Sequence, residues 1–516
     1  MKDSQIKYFQ IKFSLIAALF LIVCSCKTEV KHIKAKYFDF CEKIHCSDSA
    51  KLSQVFHNFD TIMNSKSGAY VLEDGDGSMI ARAWLSEHAE KSIDIQYFIF
   101  SVDNVGLIAC DYLVRAADKG IKVRILVDDI MVEADPEDIM TLDNHENIEI
   151  KIYNPGANLG KNIGQKLVKI AKDFSGFNQR MHNKTFIVDG KVVITGGRNI
   201  ADEYFDYDHE YNFRDRDILL LGKIGQEVQN SFNQFWESPL SIPVSQVIQS
   251  KQTTPPNFEL LHQYACNPNN FWPQVRTRIQ NLPHTFEKIQ SSGALIWSDS
   301  IQFISDIPGK NKAKKGLKGG GNTTNALIEL VQNAKESIDI QSPYLITTEL
   351  SRSLFKAATS KGVKIRILTN SLASTDNVQA FGGYQKDRAS LLKTGVEIYE
   401  FRPDAAERFK IMTGALQKEM NYTPIFGLHA KSMVVDRKIA VIGTFNLDPR
   451  SANLNTECIT IVKNKTLAQR VQKGMEIEFS PENSWHTTLE WNPDDKVNWT
   501  KRAKTNLFKV MPKGIL

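Results

Sequence analysis

The feature that most constrains this chain is an internal duplication. Ala89–Gln96 reads AEKSIDIQ, and Ala334–Gln341 reads AKESIDIQ. Ala117–Val127, ADKGIKVRILV, returns as Thr359–Leu368, TSKGVKIRIL. Met181–Asn199, MHNKTFIVDGKVVITGGRN, returns as Leu428–Asn446, LHAKSMVVDRKIAVIGTFN. Three matched blocks in the same order and at similar separations imply two halves of one fold, related by a pseudo-twofold axis. Each SIDIQ alternates apolar and polar residues, as a strand does, at the end of a helical pattern. Each second block reads as a helix closed by a glycine at C′ and followed by a buried strand. Strand–helix–strand units in this order predict an α/β architecture, with a mixed sheet flanked by helices in each half.

At 516 residues the chain has room for two or three domains. The duplication places one over 67–238 and the second over 325–516. Between them, 239–324 looks irregular. It contains Thr253-Thr254-Pro255-Pro256 and the Lys/Gly-rich run Gly309–Gly321. That run reads as a mobile solvated loop; the functional alternative is a phosphate-attracting flap.

The third block carries the chemistry. Both copies fit H-x-K-x4-D-x6-G-[GT]-x-N, with His182, Lys184, Asp189, Gly196, Gly197 and Asn199 in one and His429, Lys431, Asp436, Gly443, Thr444 and Asn446 in the other. One H-x-K is noise; two copies that match at every fixed position are a strong signal. Histidine and lysine at i and i+2 share one face of a strand. Asp189 and Asp436, at i+7, have the opposite parity and sit at the turn of a hairpin. They are nevertheless counted with the catalytic set as fixed positions of the motif. In-line displacement at a phosphodiester places attacker and leaving oxygen on opposite sides of phosphorus. Two imidazoles can serve both sides, one neutral and attacking, the other protonated and donating. Lys184 and Lys431 would neutralise the non-bridging oxygens, and Asn199 and Asn446 would donate hydrogen bonds to them. No metal or other cofactor is required. Glu457 and Asp215 are the expected carboxylates that orient the imidazoles. Glu210 rivals Asp215, because it stands as far from His182 as Glu457 does from His429. Gly197, Arg198 and Thr444 are candidates for substrate contact, with Gly196-Gly197 and Gly443-Thr444 permitting a tight approach of backbone to a ligand; Arg198 and Tyr204 either contact a headgroup phosphate or buttress the loop.

The paired motifs resemble the HKD motifs of the phospholipase D superfamily. Within it, RMHNKTFIVDGKVVITGGRNIADEYF and GTFNLDPRSANLNTE are most similar to bacterial cardiolipin synthases of the C type. The likeness covers roughly 67–236 and 325–463. It implies a phosphohistidine intermediate on His182, with His429 as acid and then base, although the residues alone leave the two equivalent. It also implies phospholipid substrates: phosphatidylglycerol as acceptor and a second phospholipid, such as phosphatidylethanolamine, as donor. Transfer to water, as in a secreted phospholipase D, is the nearest alternative. An exported nuclease on the same fold and a degenerate lipid-binding module are the others. A net charge of +5 does not favour a stable nucleic-acid partner.

The N-terminus reads as a leader over 1–25. Lys2, Lys7 and Lys12 precede the apolar run Phe13–Val23. As a helix that run reaches about 18 Å, short of a bilayer core of about 30 Å. Val23-Cys24-Ser25-Cys26 resembles a lipoprotein processing site with Cys26 as the lipidated residue, ahead of an extension over 26–66. The alternatives are a plainly cleaved signal and a short uncleaved anchor. The lipoprotein reading places the protein in a bacterial envelope, anchored to a membrane and facing the periplasm. Lys27 after Cys26 allows outer-membrane sorting by analogy. Cys41 and Cys46 are spaced for a disulfide or stand as two free thiols. Ile163–Phe174 reads as a core-facing surface helix, with a membrane-interfacial helix as the alternative.

Overall fold

The computed structural model describes residues 51–129, 134–155, 179–248, 256–270, 278, 289, 291–311, 319–411 and 424–509. The leader and Cys26, the pair Cys41 and Cys46, and the helix expected at Ile163–Phe174 lie outside these residues. In chain order the first half holds β1 (Ser67–Leu72), α1 (Gly75–His88), β2 (Ser92–Tyr97), α2 (Asn104–Asp118), β3 (Lys122–Asp128), α3 (Pro136–Asp143), β4 (Ile148–Tyr153), β5 (Thr185–Val188), β6 (Val192–Gly196), β7 (Tyr211–Arg214), β8 (Asp217–Gly222), α4 (Ile224–Trp236) and β9 (Ser241–Pro243). Then come α5 (Glu259–Ala265) and β10 (Ile296–Ser298). The second half holds β11 (Ile301–Ser305), α6 (Asn322–Asn333), β12 (Ser337–Gln341), α7 (Glu349–Ser360), β13 (Lys364–Asn370), α8 (Val378–Leu392), β14 (Glu397–Phe401), β15 (Ile425–Leu428), β16 (Ser432–Val435), β17 (Ile439–Gly443), β18 (Cys458–Val462), α9 (Lys465–Glu478) and β19 (Ser484–Thr487), with α10 (Trp499–Phe508) after it.

Among the described residues, one sheet runs β10-β1-β8-β6-β5-β2-β3-β4-β9 and the other β11-β18-β17-β16-β12-β13-β14-β19. With β10 set aside, the two orders correspond strand for strand, which is the duplication expressed as topology. β2, β3 and β4 are parallel, as are β12, β13 and β14, and each set is reached through crossover helices. The helices before β3 and β13 end at Gly120 and Gly362, both at φ +86°, a conformation that favours glycine. The segment 239–324 is less irregular than its composition suggests: it supplies β9 and β10 to the first sheet and β11 to the second. The repeat therefore resumes at β11, ahead of residue 325. Strands as short as SIP and IWS carry no alternation to read. In the Lys/Gly-rich run, Lys310 is buried, and its ammonium bonds the Asp306 carboxylate and the Ser451 carbonyl, both at 2.7 Å. Residues 312–318 of that run lie outside the described set.

One apolar core joins the halves. Val228, Phe232 and Phe235 of α4 and Leu467, Val471 and Met475 of α9 pack with Ile187, Val193 and Leu220 of the first sheet and Val434, Ile442 and Val462 of the second. Burial at this density makes the halves one folding unit rather than two tethered domains.

The hairpins β5–β6 and β16–β17 turn through Asp189-Gly190 and Asp436-Arg437, all four at φ between 52° and 66°. That is the two-residue turn whose twist matches the strands. The Asp189 carboxylate accepts from the backbone N–H groups of Glu90, Lys91 and Ser92, and Asp436 from those of Lys335, Glu336 and Ser337. This corrects their assignment to the catalytic set. Their oxygens are committed to the amides that lead into β2 and β12, at the end of β5 and β16 away from the histidines. Asp436→Ala is expected to cost about 1–2 kcal/mol in a urea titration, because three amides lose their acceptor. Activity per folded molecule should be unchanged.

Candidate active site

His182 and His429 precede β5 and β16 on extended backbone that crosses between the halves. The His182 N–H donates to Thr456 O at 3.0 Å, and the His429 N–H donates to Arg214 O at 2.8 Å. The second crossing is a short parallel ladder of β15 on β7, with Leu428 opposite Arg214. Each crossing brings the residue after its partner, Glu457 or Asp215, beside the other half's histidine. His182 Nδ1 lies 2.8 Å from Glu457 Oε2, and His429 Nδ1 lies 2.5 Å from Asp215 Oδ2. The dyads are therefore exchanged: each carboxylate orients the imidazole of the opposite half. Glu210, the rival, is a turn residue whose N–H bonds Asp208. An ionised carboxylate only accepts, so Nδ1 carries the proton and Nε2 presents its lone pair.

Lys184 and Lys431 are buried beside the rings, each donating to its own motif histidine's carbonyl. Phe98 meets the His182 ring edge-on at 5.1 Å, and Tyr204 does the same to His429 at 5.0 Å, with Phe213 at 4.9 Å. Tyr204 thus supports an imidazole rather than a headgroup. Burial pushes His182 down to about 4, helped by the two lysines and opposed by Glu457. Burial and Lys431 push His429 down to about 3, against Asp215. Burial also lowers Lys184 to about 8 and Lys431 to about 7. That each lysine acts on the other half's histidine places all four groups within mutual electrostatic reach.

The site is therefore short of negative charge. Between about pH 3 and 6.5 the unfolded chain binds protons on these imidazoles that the folded chain refuses, so their contribution to stability rises with pH across that window. An oxyanion reverses the preference. Sulfate, whose charge is constant over this range, is expected to raise Tm more at pH 5 than at pH 8, as read by scanning calorimetry with chloride as control.

Three residues expected to touch substrate instead meet the orienting carboxylates or the backbone around them. At Gly197 an added Cβ would lie 2.0 Å from Asp215 Oδ1, so the close approach there is by the orienting carboxylate. The Thr444 hydroxyl donates to Glu457 Oε2, and Ser451 donates to Oε1 at 2.7 Å. Arg198 is buried, and its guanidinium is spent on the carbonyls of Leu72, Glu73, Tyr204 and Asp215. Of the asparagines, Asn199 Oδ1 accepts the Ile99 N–H at 3.1 Å. Asn446 Oδ1 is buried without a hydrogen-bond partner among the described residues.

Other parts of the site gave no sequence signal. Arg214 and Arg216, on either side of Asp215, pair with Glu73, and Arg214 also pairs with Glu478. They fix Asp215 from both sides, through partners far away in sequence. Asp128 accepts the Met181 N–H at 2.8 Å and pairs with Arg180, which sets the approach to His182. An apolar groove of about 480 Å³ lies between β3 and β4 of the first sheet and the helices α2, α3 and α5, lined by Leu107, Val127, Leu142 and Leu261. Val127 alternates with Asp128 along β3, so the groove is on the face of the sheet opposite Asp128.

Two mixed sheets with paired H-x-K motifs meeting across a pseudo-twofold define the phospholipase D superfamily of phosphodiester-transfer enzymes. Comparison with known proteins narrows this. Residues 85–236 and 327–477 match the family described as cardiolipin synthase, PLD-like domain, and the chain belongs to that family. It is 32% identical to cardiolipin synthase C of Escherichia coli K12 over 442 residues, 84% of this chain and 89% of that one. It is 35% identical to an uncharacterized protein of Helicobacter pylori J99 over 429 residues, 82% and 81% of the two chains. The fold matches the crystal structure of phosphatidylserine synthase from Haemophilus influenzae with a TM-score of 0.56 at 12% identity, covering 90% of this chain and all of that one.

Proposed function

We propose that this enzyme is a phosphatidyltransferase that makes cardiolipin from phosphatidylglycerol and a second phospholipid. The observation that carries the reading is the pair of exchanged histidine–carboxylate dyads with two buried lysines in one site. His182 Nε2 attacks phosphorus, and a P–N bond forms as the P–O bond to the donor headgroup breaks. The leaving oxygen takes a proton from His429, which the substrate's negative charge has helped to protonate. The headgroup alcohol departs, and the phosphatidyl group stays on His182. A hydroxyl of phosphatidylglycerol then gives its proton to His429 and attacks phosphorus, the P–N bond breaks, and both histidines return to their starting state. Lys184 and Lys431 offset the charge on the non-bridging oxygens throughout.

Among the described residues no helix is long and apolar enough to cross a membrane. We assign membrane attachment to the lipidated Cys26 and the site to the periplasmic side of the envelope; Cys26→Ser should release the protein on fractionation. The reaction itself is tested by incubation with phosphatidylglycerol and phosphatidylethanolamine and mass spectrometry of the lipids. Cardiolipin is the expected product. Phosphatidic acid alone would make the enzyme a hydrolase, and the absence of any lipid product would overturn the lipid reading.

A further inference from the structure

The helix α10, WTKRAKTNLF, is amphipathic in an unusual sense: its apolar stripe faces solvent. Thr505 and Phe508 seat it against α8, where Gly382 allows close approach; a Cβ there would lie 3.2 Å from Phe508 Cβ. Trp499, Ala503 and Leu507, at i, i+4 and i+8, share the opposite side. Trp499 is 72% and Leu507 68% exposed. Arg502 and Lys504, both exposed, flank the stripe on either side. A tryptophan and a leucine this open are costly in water, and flanking cations beside such a stripe are the composition of a helix that lies in a lipid interface.

Its position suits that role. Lys501, on the inner side, reaches the Thr375 carbonyl at 3.5 Å. The next residue, Asp376, accepts from the Tyr344 hydroxyl at 2.8 Å and acts electrostatically on both Lys501 and the site lysine Lys431. Through Thr375 and Asp376 the helix is therefore joined to the side of the site that holds Lys431.

We infer that α10 is a membrane-docking element that inserts Trp499 and Leu507 into an anionic phospholipid surface, with Arg502 and Lys504 at the phosphates. It holds the mouth of the site against the bilayer that contains the substrate. This rests on the lipid-substrate reading above for its purpose, but not for its test.

Full-length protein is mixed with phosphatidylglycerol–phosphatidylethanolamine vesicles whose acyl chains carry bromine. The Trp499 signal is the emission of the wild type minus that of Trp499→Phe. Bromine is expected to quench this signal by roughly half, and Arg502→Glu with Lys504→Glu should abolish the quenching. An unquenched Trp499 overturns the proposal. So does a dimer that Trp499→Ser with Leu507→Ser converts to monomer, because the stripe then serves a second copy of the chain. In parallel, Trp499→Ser with Leu507→Ser should lose about tenfold in turnover on vesicles while keeping wild-type rates in detergent micelles; equal rates on vesicles also count against docking. If the wild type forms no lipid product in micelles, the functional reading fails, and quenching alone still decides the docking.

Discussion

His182→Ala is expected to lose turnover by about four orders of magnitude or more, and to form no acid-labile phosphoenzyme from any donor. His429→Ala should lose as much turnover with natural lipids, yet still form phosphoenzyme from a donor whose leaving group is 4-nitrophenolate. The asymmetry follows from the chemistry. An alkoxide cannot leave without a proton, whereas nitrophenolate can, so the acid is dispensable only when the leaving group is good. Both rings are buried and held neutral at pH 7, which suits attack by Nε2. One of them must then acquire a proton when the phosphodiester enters, and the bound anion together with the orienting carboxylate supplies the incentive. Acid-quenched and alkali-quenched samples, followed by peptide mapping, would show which residue carries the phosphoryl group. Phosphate on His429 in the wild type would exchange the two roles. Substantial turnover by either alanine variant would sink the two-histidine mechanism.

The duplication was enough to read the α/β class, the two halves and the four motif side chains, because each left a local pattern. SIDIQ alternates, Gly120 and Gly362 close helices, and H-x-K places two side chains on one face. What the sequence hid was non-local. Nothing in NTECITIV says that Glu457 serves a histidine in the other half, because that follows from how Thr456 pairs with Met181 in three dimensions. By type and position Arg198 reads equally as a phosphate ligand and as a buttress of its loop. Its role as a brace for Asp215 becomes visible only when four carbonyls converge on it. Gly197 was correctly marked as a point of close approach, but to a carboxylate rather than a ligand. Asp189 and Asp436 show that fixed spacing in a motif reports constraint without saying whether chemistry or folding imposes it. Here the hairpin tie imposes it.

The exchange of dyads makes the second large prediction. Glu457→Gln should reproduce the His182→Ala phenotype, and Asp215→Asn that of His429→Ala, although each carboxylate belongs to the opposite repeat. The substituted amide nearly conserves shape, but it can present N–H to Nδ1. The ring is then driven to the tautomer with the proton on Nε2, which cannot attack or accept at phosphorus. A loss of about 10²–10⁴ in kcat is expected for each, with folding retained, since an amide fills the same space. The discriminating measurement is the phosphoenzyme. With the nitrophenyl donor, Asp215→Asn should still form it and Glu457→Gln should not. A model in which each carboxylate served its own repeat's histidine requires the reverse. Thr444 and Ser451 add a check, because, of the two orienting carboxylates, they bond Glu457; the other partners of their hydroxyls are the Cys458 backbone and the Asn446 N–H. Thr444→Val with Ser451→Ala should therefore slow phosphoenzyme formation and leave its breakdown near the wild-type rate, whereas equal slowing of both steps would mean that the two dyads do not divide the work.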